Sequence, residues 1–361
     1  MAEFGTGLPG TKITFEEKVN TFIQRLSRGM VAVMFVHEDF TSPTVVVATD
    51  EEDVVAAVES LPEEQKTVVS AEMTRALDNG AAKVLALCAA DVSGATTLAA
   101  AQRFNWLAIG GLEPADQTTV VTWAEGKGFR TGRSFMLMGD HAVVDDADDT
   151  TWNTVAFDDT NVTNSETTTA ALCGIFAGLS RRSGTYQVVD TKTDGTGYAT
   201  MEQAADAINK GLLTVFYDGE KAKIGRAVTT YYDPDKPKKP MGKIRAVDAA
   251  NMIQDDINDT FVETYIGDSD NDYAGKMTFI GIVNQNYLAG LEGEVLSPEG
   301  ENKVDIDVEM HRQLAKAAGE DVSKMSEMEL RQYDTGDVVY LVGSLRFMKT
   351  MEDLSIRFTV G

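Results

Sequence analysis

The chain closes on a segment that leaves few structural choices. It reads Met351-Glu-Asp-Leu-Ser-Ile-Arg-Phe-Thr-Val-Gly361, with Leu354, Ile356, Phe358 and Val360 on one side and Ser355, Arg357 and Thr359 on the other. A period of two predicts a β-strand with one apolar face. Chain ends fray unless something ties them down. Such a strand is therefore held either in a sheet of its own chain or in a sheet of another subunit. The second arrangement makes a polymer-forming protein rather than an enzyme. The stretch before it, Asp337-Val-Val-Tyr-Leu-Val-Gly-Ser-Leu-Arg-Phe347, reads as a further strand.

The other end mirrors this pattern. Residues 1–20 are glycine-rich and then alternate briefly, with Ile13 and Phe15 on one side of Thr11-Lys-Ile-Thr-Phe15. This predicts an extended arm with a short strand. The opening ten residues lack a basic start and an apolar core, so they do not read as a signal peptide. No apolar run approaches the ~20 residues of a membrane span. Cys88 and Cys173 sit among apolar neighbours and read as free core thiols of a reducing compartment. With 361 residues there is material for two or three domains. The net charge of -25 repels phosphate backbones and anionic lipid. It serves solubility, or it matches the surface to a basic partner.

Between the ends the pattern is that of an α/β layer. Strands are predicted at 31–36, 44–48, 83–88, 106–109 and 134–138, and helices near 51–60, 62–78, 95–103 and 115–125. Strands alternating with helices predict a parallel sheet. A loop-rich stretch at 145–169 holds one strand around Trp152, Val155 and Phe157, and a helix covers about 167–180. Thr200-Met-Glu-Gln203 opens a helix to about 210. Residues 212–217 and 223–228 then form a hairpin turned by Asp218-Gly219. Asp233-Pro-Asp-Lys-Pro-Lys-Lys-Pro240 is the clearest break, a stiff linker that marks a domain boundary. The helix after it carries Ile244, Val247, Ala250, Ile253, Ile257, Phe261 and Tyr265 on one stripe, with Asp248, Asp255 and Asp256 mostly opposite. A helix near 273–290, a strand at 303–307 and helices near 309–318 and 326–332 precede the closing strands.

Chemistry-bearing motifs are scarce. His37, His141 and His311 stand apart, and none has a second ligand at metal spacing. Gly126-Lys-Gly-Phe-Arg-Thr-Gly132 fails both phosphate-loop patterns and reads as a tight turn after a helix. Asp268-Ser-Asp-Asn-Asp272 begins like a calcium loop, but Tyr273 replaces the required glycine and Phe279 the bidentate glutamate. It reads as a solvated turn. Asp145-Asp-Ala-Asp-Asp149 reads as an exposed acidic loop.

The C-terminal order of segments resembles the contractile tail sheath family of bacteriophages and related contractile bacteriocins. The likeness lies in Lys243-Ile-Arg-Ala-Val-Asp248 leading to Ile257-Asn-Asp-Thr-Phe-Val-Glu-Thr-Tyr-Ile-Gly267. It continues in Asp321-Val-Ser-Lys-Met-Ser-Glu-Met-Glu-Leu330, and in 334–347 followed by Met351-Glu-Asp-Leu354. The arrangement looks like the small sheath proteins of Gram-positive phages and phage-like elements. It is strong from about residue 240 and weak between 140 and 165.

The resemblance implies the α/β class with an α+β C-terminal part. Residues 21–235 would be an outer α/β sheath domain, and 236–361 an inner, tube-proximal assembly domain that includes the strand arm 352–361. Residues 1–20 would be the second arm. Ile13, Phe15, Leu354, Ile356, Phe358 and Val360 would then complete sheets of neighbouring subunits. Also implied is a homo-oligomer of stacked hexameric rings around a tail tube protein, bounded by baseplate and tail terminator proteins. Contraction would drive the tube through a target cell envelope. No cofactor, catalysis, direct nucleic-acid contact or membrane insertion is implied. Assembly would take place in the host bacterial cytoplasm, before incorporation in a virion tail or a released contractile particle. The competing reading is a cytoplasmic α/β nucleotide-binding protein or enzyme. Its crevice would lie at the strand ends Ala89-Ala-Asp-Val-Ser-Gly94 and Gly110-Gly-Leu-Glu-Pro114.

Overall fold

Residues 30–36 and 83–89 are apolar almost without interruption, and strands of that kind need cover on both faces. A computed structural model of the chain describes residues 23, 28–124, 134–138, 154–158, 162, 167–179, 183–190, 200–235 and 240–359. In it the two runs are β1 (Met30–Val36) and β3 (Lys83–Ala89), parallel neighbours paired along their whole length. They sit in a seven-stranded sheet of order β2-β3-β1-β4-β5-β6-β8. Here β2 is Thr44–Ala48, β4 Trp106–Ala108, β5 Ser134–Met138, β6 Thr154–Phe157 and β8 Leu212–Leu213. β2 is antiparallel to β3, and every other pairing is parallel.

The period of two divides the core cleanly. Val31, Val33, Val84, Ala86 and Cys88 pack to one side, with α1 (Glu51–Val58), α2 (Glu63–Asp78) and α5 (Thr169–Gly178). Ala32, Met34, Leu85, Leu87 and Ala89 pack to the other, with α3 (Val92–Ala101), α4 (Pro114–Trp123) and α6 (Met201–Asn209). Two helical layers enclosing a mostly parallel sheet fulfil the expected α/β class.

The predicted strand at 212–217 corrects to two pieces. β8 ends the large sheet, whereas β9 (Val215–Tyr217) joins β10 (Ala222–Ile224) and β7 (Val188–Asp190) in a separate three-stranded sheet. The switch occurs at buried Thr214, whose carbonyl accepts the Gly225 N–H at 2.8 Å. Residues 212–217 are apolar on both faces apart from this threonine, so periodicity gave no sign of the break.

Both sides of the 233–240 stretch return to one place. Val228 bridges Lys243, and Ile244 N–H donates to the Ala227 carbonyl at 3.3 Å. Residues 236–239 of that stretch lie outside the described residues. α7 (Ile244–Thr264) starts inside the α/β core at Ile244. It then leaves that core: Ala249 and Ile253 belong to a second cluster with Phe279, Val283, Tyr287, Leu291 and Leu296. This smaller unit contains α8 (Tyr273–Gly281), which runs through a π-helical segment Ile282–Leu288 into a last turn, α9 (Ala289–Leu291). It also holds β11 (Lys303–Ile306), α10 (Val308–Ala317), α11 (Glu327–Arg331) and β12 (Leu341–Ser344). Arg28 ties the two parts together by reaching Asp248 at 2.8 Å and Asp255 at 3.5 Å.

Asp256 departs from the expected polar side of α7. It is buried and accepts the Tyr287 hydroxyl at 2.6 Å. The acidic turn 268–272 is also more than solvated loop. Asp272 caps α8 through the Gly275 N–H at 2.6 Å, and Asn271 Nδ2 donates to the Gly336 carbonyl at 2.6 Å.

α5 crosses α2 at very close range. A Cβ on Gly174 would lie 2.3 Å from the Ala76 carbonyl oxygen, and one on Gly178 would lie 2.9 Å from that of Gly80. Because backbone must shift to make room, Gly174→Ala is expected to destabilise the fold by about 1–3 kcal/mol, read by urea unfolding. Gly219→Ala, with open space around it but φ near +100°, is expected to lose no more than ~1 kcal/mol.

Candidate assembly surface

The end of the chain divides at residue 352. Glu352 is held firmly. Its side chain is 10% exposed and accepts from Lys243 Nζ at 2.7 Å, from Thr185 Oγ1 at 3.1 Å and from Thr350 Oγ1 at 3.2 Å, with Arg226 at 3.3 Å. Lys243 also lies over the Tyr232 ring. Burial holds the Lys243 ammonium below its ordinary pKa, with Glu352 pulling the other way. This clasp walls a cavity of about 360 Å³ between Arg226, Tyr232, Lys243, Arg245 and Met348. It fixes the root of the terminal segment on the body of its own chain. Arg226 reaches onward to Asp353 at 2.8 Å, but Asp353 itself is largely exposed.

Beyond Asp353 the picture inverts. Leu354, Ile356 and Phe358 are 84%, 60% and 82% exposed, and residues 351–359 take part in no ladder. The expected terminal strand is thus absent from the single chain among the described residues. The physical reason is that a strand exists only through a partner's backbone groups, and the described residues of this chain supply none there. Val360 lies outside the described residues, as do Ile13 and Phe15 of the opposite arm. Ile23 is nonetheless described. It is buried in the small core with Ala249 and Ile253, the cluster that Phe347 flanks just before the clasp. The described chain therefore enters and leaves this unit through one core.

The small unit also carries unfinished sheet. β11 and β12 form an antiparallel pair with no third strand among the described residues. Of the predicted strand 337–347 only Leu341–Ser344 is realised. Val342 is half exposed, and no partner takes the amides of Leu341, Gly343 or Leu345 among the described residues. Two-stranded sheets are marginal alone. This one is braced from behind by Arg331, which grips Asp305 at 3.0 Å through Nη1 and more closely through Nη2. That pairing lowers the Asp305 carboxyl below its ordinary value. Gly343 is required for the ladder, because a Cβ there would meet the Lys303 carbonyl and Val304 Cγ1, both at 2.8 Å.

Residues suited to chemistry are occupied otherwise. His311 is fully buried with Nδ1 2.8 Å from the Leu330 carbonyl, whereas His37 pairs with Asp39 on the surface. His141, residues 126–132 and residues 145–149 lie outside the described residues. Burial pushes the Cys88 thiol up to about 12 and raises Cys173 further, which makes both poor nucleophiles. At the strand ends that an enzyme would use, Asp91 caps α3 and Gly110 N–H donates to Thr169 Oγ1. Among the described residues no three His, Cys, Asp or Glu are grouped to hold a metal ion. None of their helices is long and apolar enough to cross a membrane. Glu352 and the free β12 edge were not evident from the sequence. The sole hint for Glu352 was the charged pair standing just ahead of the alternation.

Glu352→Ala is expected to lower stability by about 1–3 kcal/mol, because two cations and two hydroxyls lose their shared acceptor. It should also speed hydrogen exchange across 350–353. Asp353→Ala, at a solvated ion pair, is expected to shift unfolding by less than ~0.5 kcal/mol.

No family model matches the chain. It is 27% identical over 372 residues to the tail sheath protein of Clostridium phage phiCD119, covering 97% of this chain and 99% of that protein. Among solved structures it superposes on the anti-feeding prophage helical sheath in its contracted state with a TM-score of 0.65. That match has 12% identity and covers 98% of this chain and 99% of the other. The contracted sheath of the extracellular contractile injection system PVC gives a TM-score of 0.63 at 14% identity, covering 99% and 98%. The sheath tail protein of Desulfitobacterium hafniense gives 0.61 at 14% identity, covering 82% and 94%.

Proposed function

We infer that this chain, a homologue of tail sheath proteins with the fold of contractile sheaths, is the repeating subunit of a contractile tail sheath. Its work is structural: it polymerises with copies of itself. The observation that carries this reading is the pairing of two incomplete features on one chain. One is an alternating apolar segment with no sheet, and the other is a sheet with a free edge. An extended segment that adds to an exposed edge gains main-chain hydrogen bonds for affinity and alternate side-chain contacts for specificity. Linking each copy to the next in this way builds a mesh in which subunits stay connected while they turn.

Magnitudes favour an edge over a mere apolar groove. Burying Leu354, Ile356 and Phe358 contributes roughly 1.5–3 kcal/mol each. Ordering the segment costs about 1–2 kcal/mol per residue. These are of the same size, so the ladder hydrogen bonds, at about 0.5–1.5 kcal/mol each, decide the outcome.

In this reading stacked rings of subunits surround a tail tube protein and end on baseplate and terminator proteins. Residues 21–235 face outward, 236–361 face the tube, and 1–20 form the second exchanged arm through Ile13 and Phe15. Assembly in the host bacterial cytoplasm precedes release. The excess of acidic side chains suits a light polar grip on the tube, which salt screens.

Expressed alone, the chain is expected to form tubes or sheath-like polymers in negative-stain micrographs. Removing 354–361, which keeps the Glu352 clasp, should leave a folded subunit that does not polymerise. Phe358→Asp should weaken assembly at least tenfold more than Arg357→Ala, measured as the critical concentration. Equal effects of the two substitutions would mean that the alternation does not define a buried face. Tight nucleotide binding by a soluble monomer would favour the enzyme reading instead.

A further inference from the structure

The two-stranded sheet has two edges, and among the described residues only one of them is open. Val304 lies opposite Gly343 in the β11–β12 pair. Its N–H donates to Asn284 Oδ1 at 2.8 Å, and its carbonyl accepts from Asn284 Nδ2 at 2.9 Å. One carboxamide thus takes both of the backbone groups that Val304 turns away from β12, as a paired strand would. Two positions on, the Ile306 N–H is taken by the side chain of Asp305 at 2.8 Å. The outward amides of β11 are therefore satisfied within the chain. In an antiparallel pair, opposed residues that do not bond each other both turn their backbone groups outward. Since Val304 faces Asn284, Gly343 faces away from β11, and its amide has no partner among the described residues.

Asn284 reaches Val304 from unusual backbone. It stands in the π-helical segment Ile282–Leu288, where the Ala289 N–H bonds to the Asn284 carbonyl five residues back. Such segments are rare, re-aim side chains and recur at functional sites. This one is fastened to α7 by the buried hydrogen bond from Tyr287 to Asp256.

We propose that Asn284, aimed by the π turn, closes the β11 edge so that the terminal segment of a second copy of this chain adds only beside β12, giving the strand order β11–β12–arm. The proposal rests on the strand-exchange reading above and assigns it a side. The occupant is the alternating segment 354–360 of the second copy, because Leu354, Ile356 and Phe358 are exposed and 354–359 lack a ladder at home. The half-exposed Val342 and the exposed Leu345 give the receiving edge apolar contacts to offer. Single-sided addition makes each link polar. A sheet open on both edges would let two arms compete or let subunits pair edge to edge.

Hydrogen exchange on the full chain, before and after polymerisation, tests this. The chain lacking 354–361 provides the unassembled reference. Within 341–345 the outward amides of Leu341, Gly343 and Leu345 are expected to exchange freely in the reference and to gain at least about tenfold protection in the polymer. Peptides covering 303–306 are expected to be protected already and to change little. Protection gained at 303–306 with 341–345 unchanged, or gained at neither, would overturn the proposal while the polymer itself upheld the sheath reading. If no polymer forms, or if the shortened chain assembles equally well, the sheath reading fails first and the edge assignment falls with it. In the unassembled reference, Asn284→Ala should speed exchange at 303–306 at least about tenfold, with Asn284→Asp intermediate because it can accept from Val304 but not donate. Unchanged exchange in the Ala variant would show that Asn284 does not close the edge.

Discussion

The proposed assembly depends on backbone hydrogen bonds that the described residues of one copy leave unmade. Amide and carbonyl groups on a β-strand require partners. Here a strand edge at β12 and a strand-forming segment at 354–359 both lack them among the described residues. Glu352 anchors the segment's root beside Lys243 and Arg226. The isolated subunit is thus stable in its core and incomplete at its margin.

The rest of the architecture supports this margin. The three-layer α/β part has a deep core on both sheet faces and close helix packing through Gly174 and Gly178. The long helix α7 begins in that core at Ile244 and ends against Phe279. Through it, and through Arg28 with Asp248 and Asp255, the rigid part is mechanically continuous with the unit that presents the open edge.

Much of this was legible in the sequence, and the misses have definite causes. Periodicity located β1, β3 and their helices because alternate residues divide between two cores. The period of 3.6 located α7, and Ser326 with Glu329 marked the start of α11 through a complete capping box. Periodicity failed at Thr214, where one apolar run serves two sheets. It failed again at Asp256, since helical spacing does not reveal that Tyr287 will supply a hydrogen bond to a buried carboxylate. Leu354, Ile356 and Phe358 were legible as an apolar set, yet their alternation could not tell whose sheet they complete. Asn284 was invisible, because a single asparagine within a helical stretch gives no sign that a π turn will aim it at a strand edge.

A helical reconstruction of the polymer formed by the full chain, at side-chain resolution, is the most direct measurement. Strand exchange predicts continuous density that leaves each clasp at Glu352, crosses to an adjacent copy and lies beside its β12, with Phe358 buried. Density for 354–360 folded back onto its own subunit, with no segment shared between copies, would contradict it.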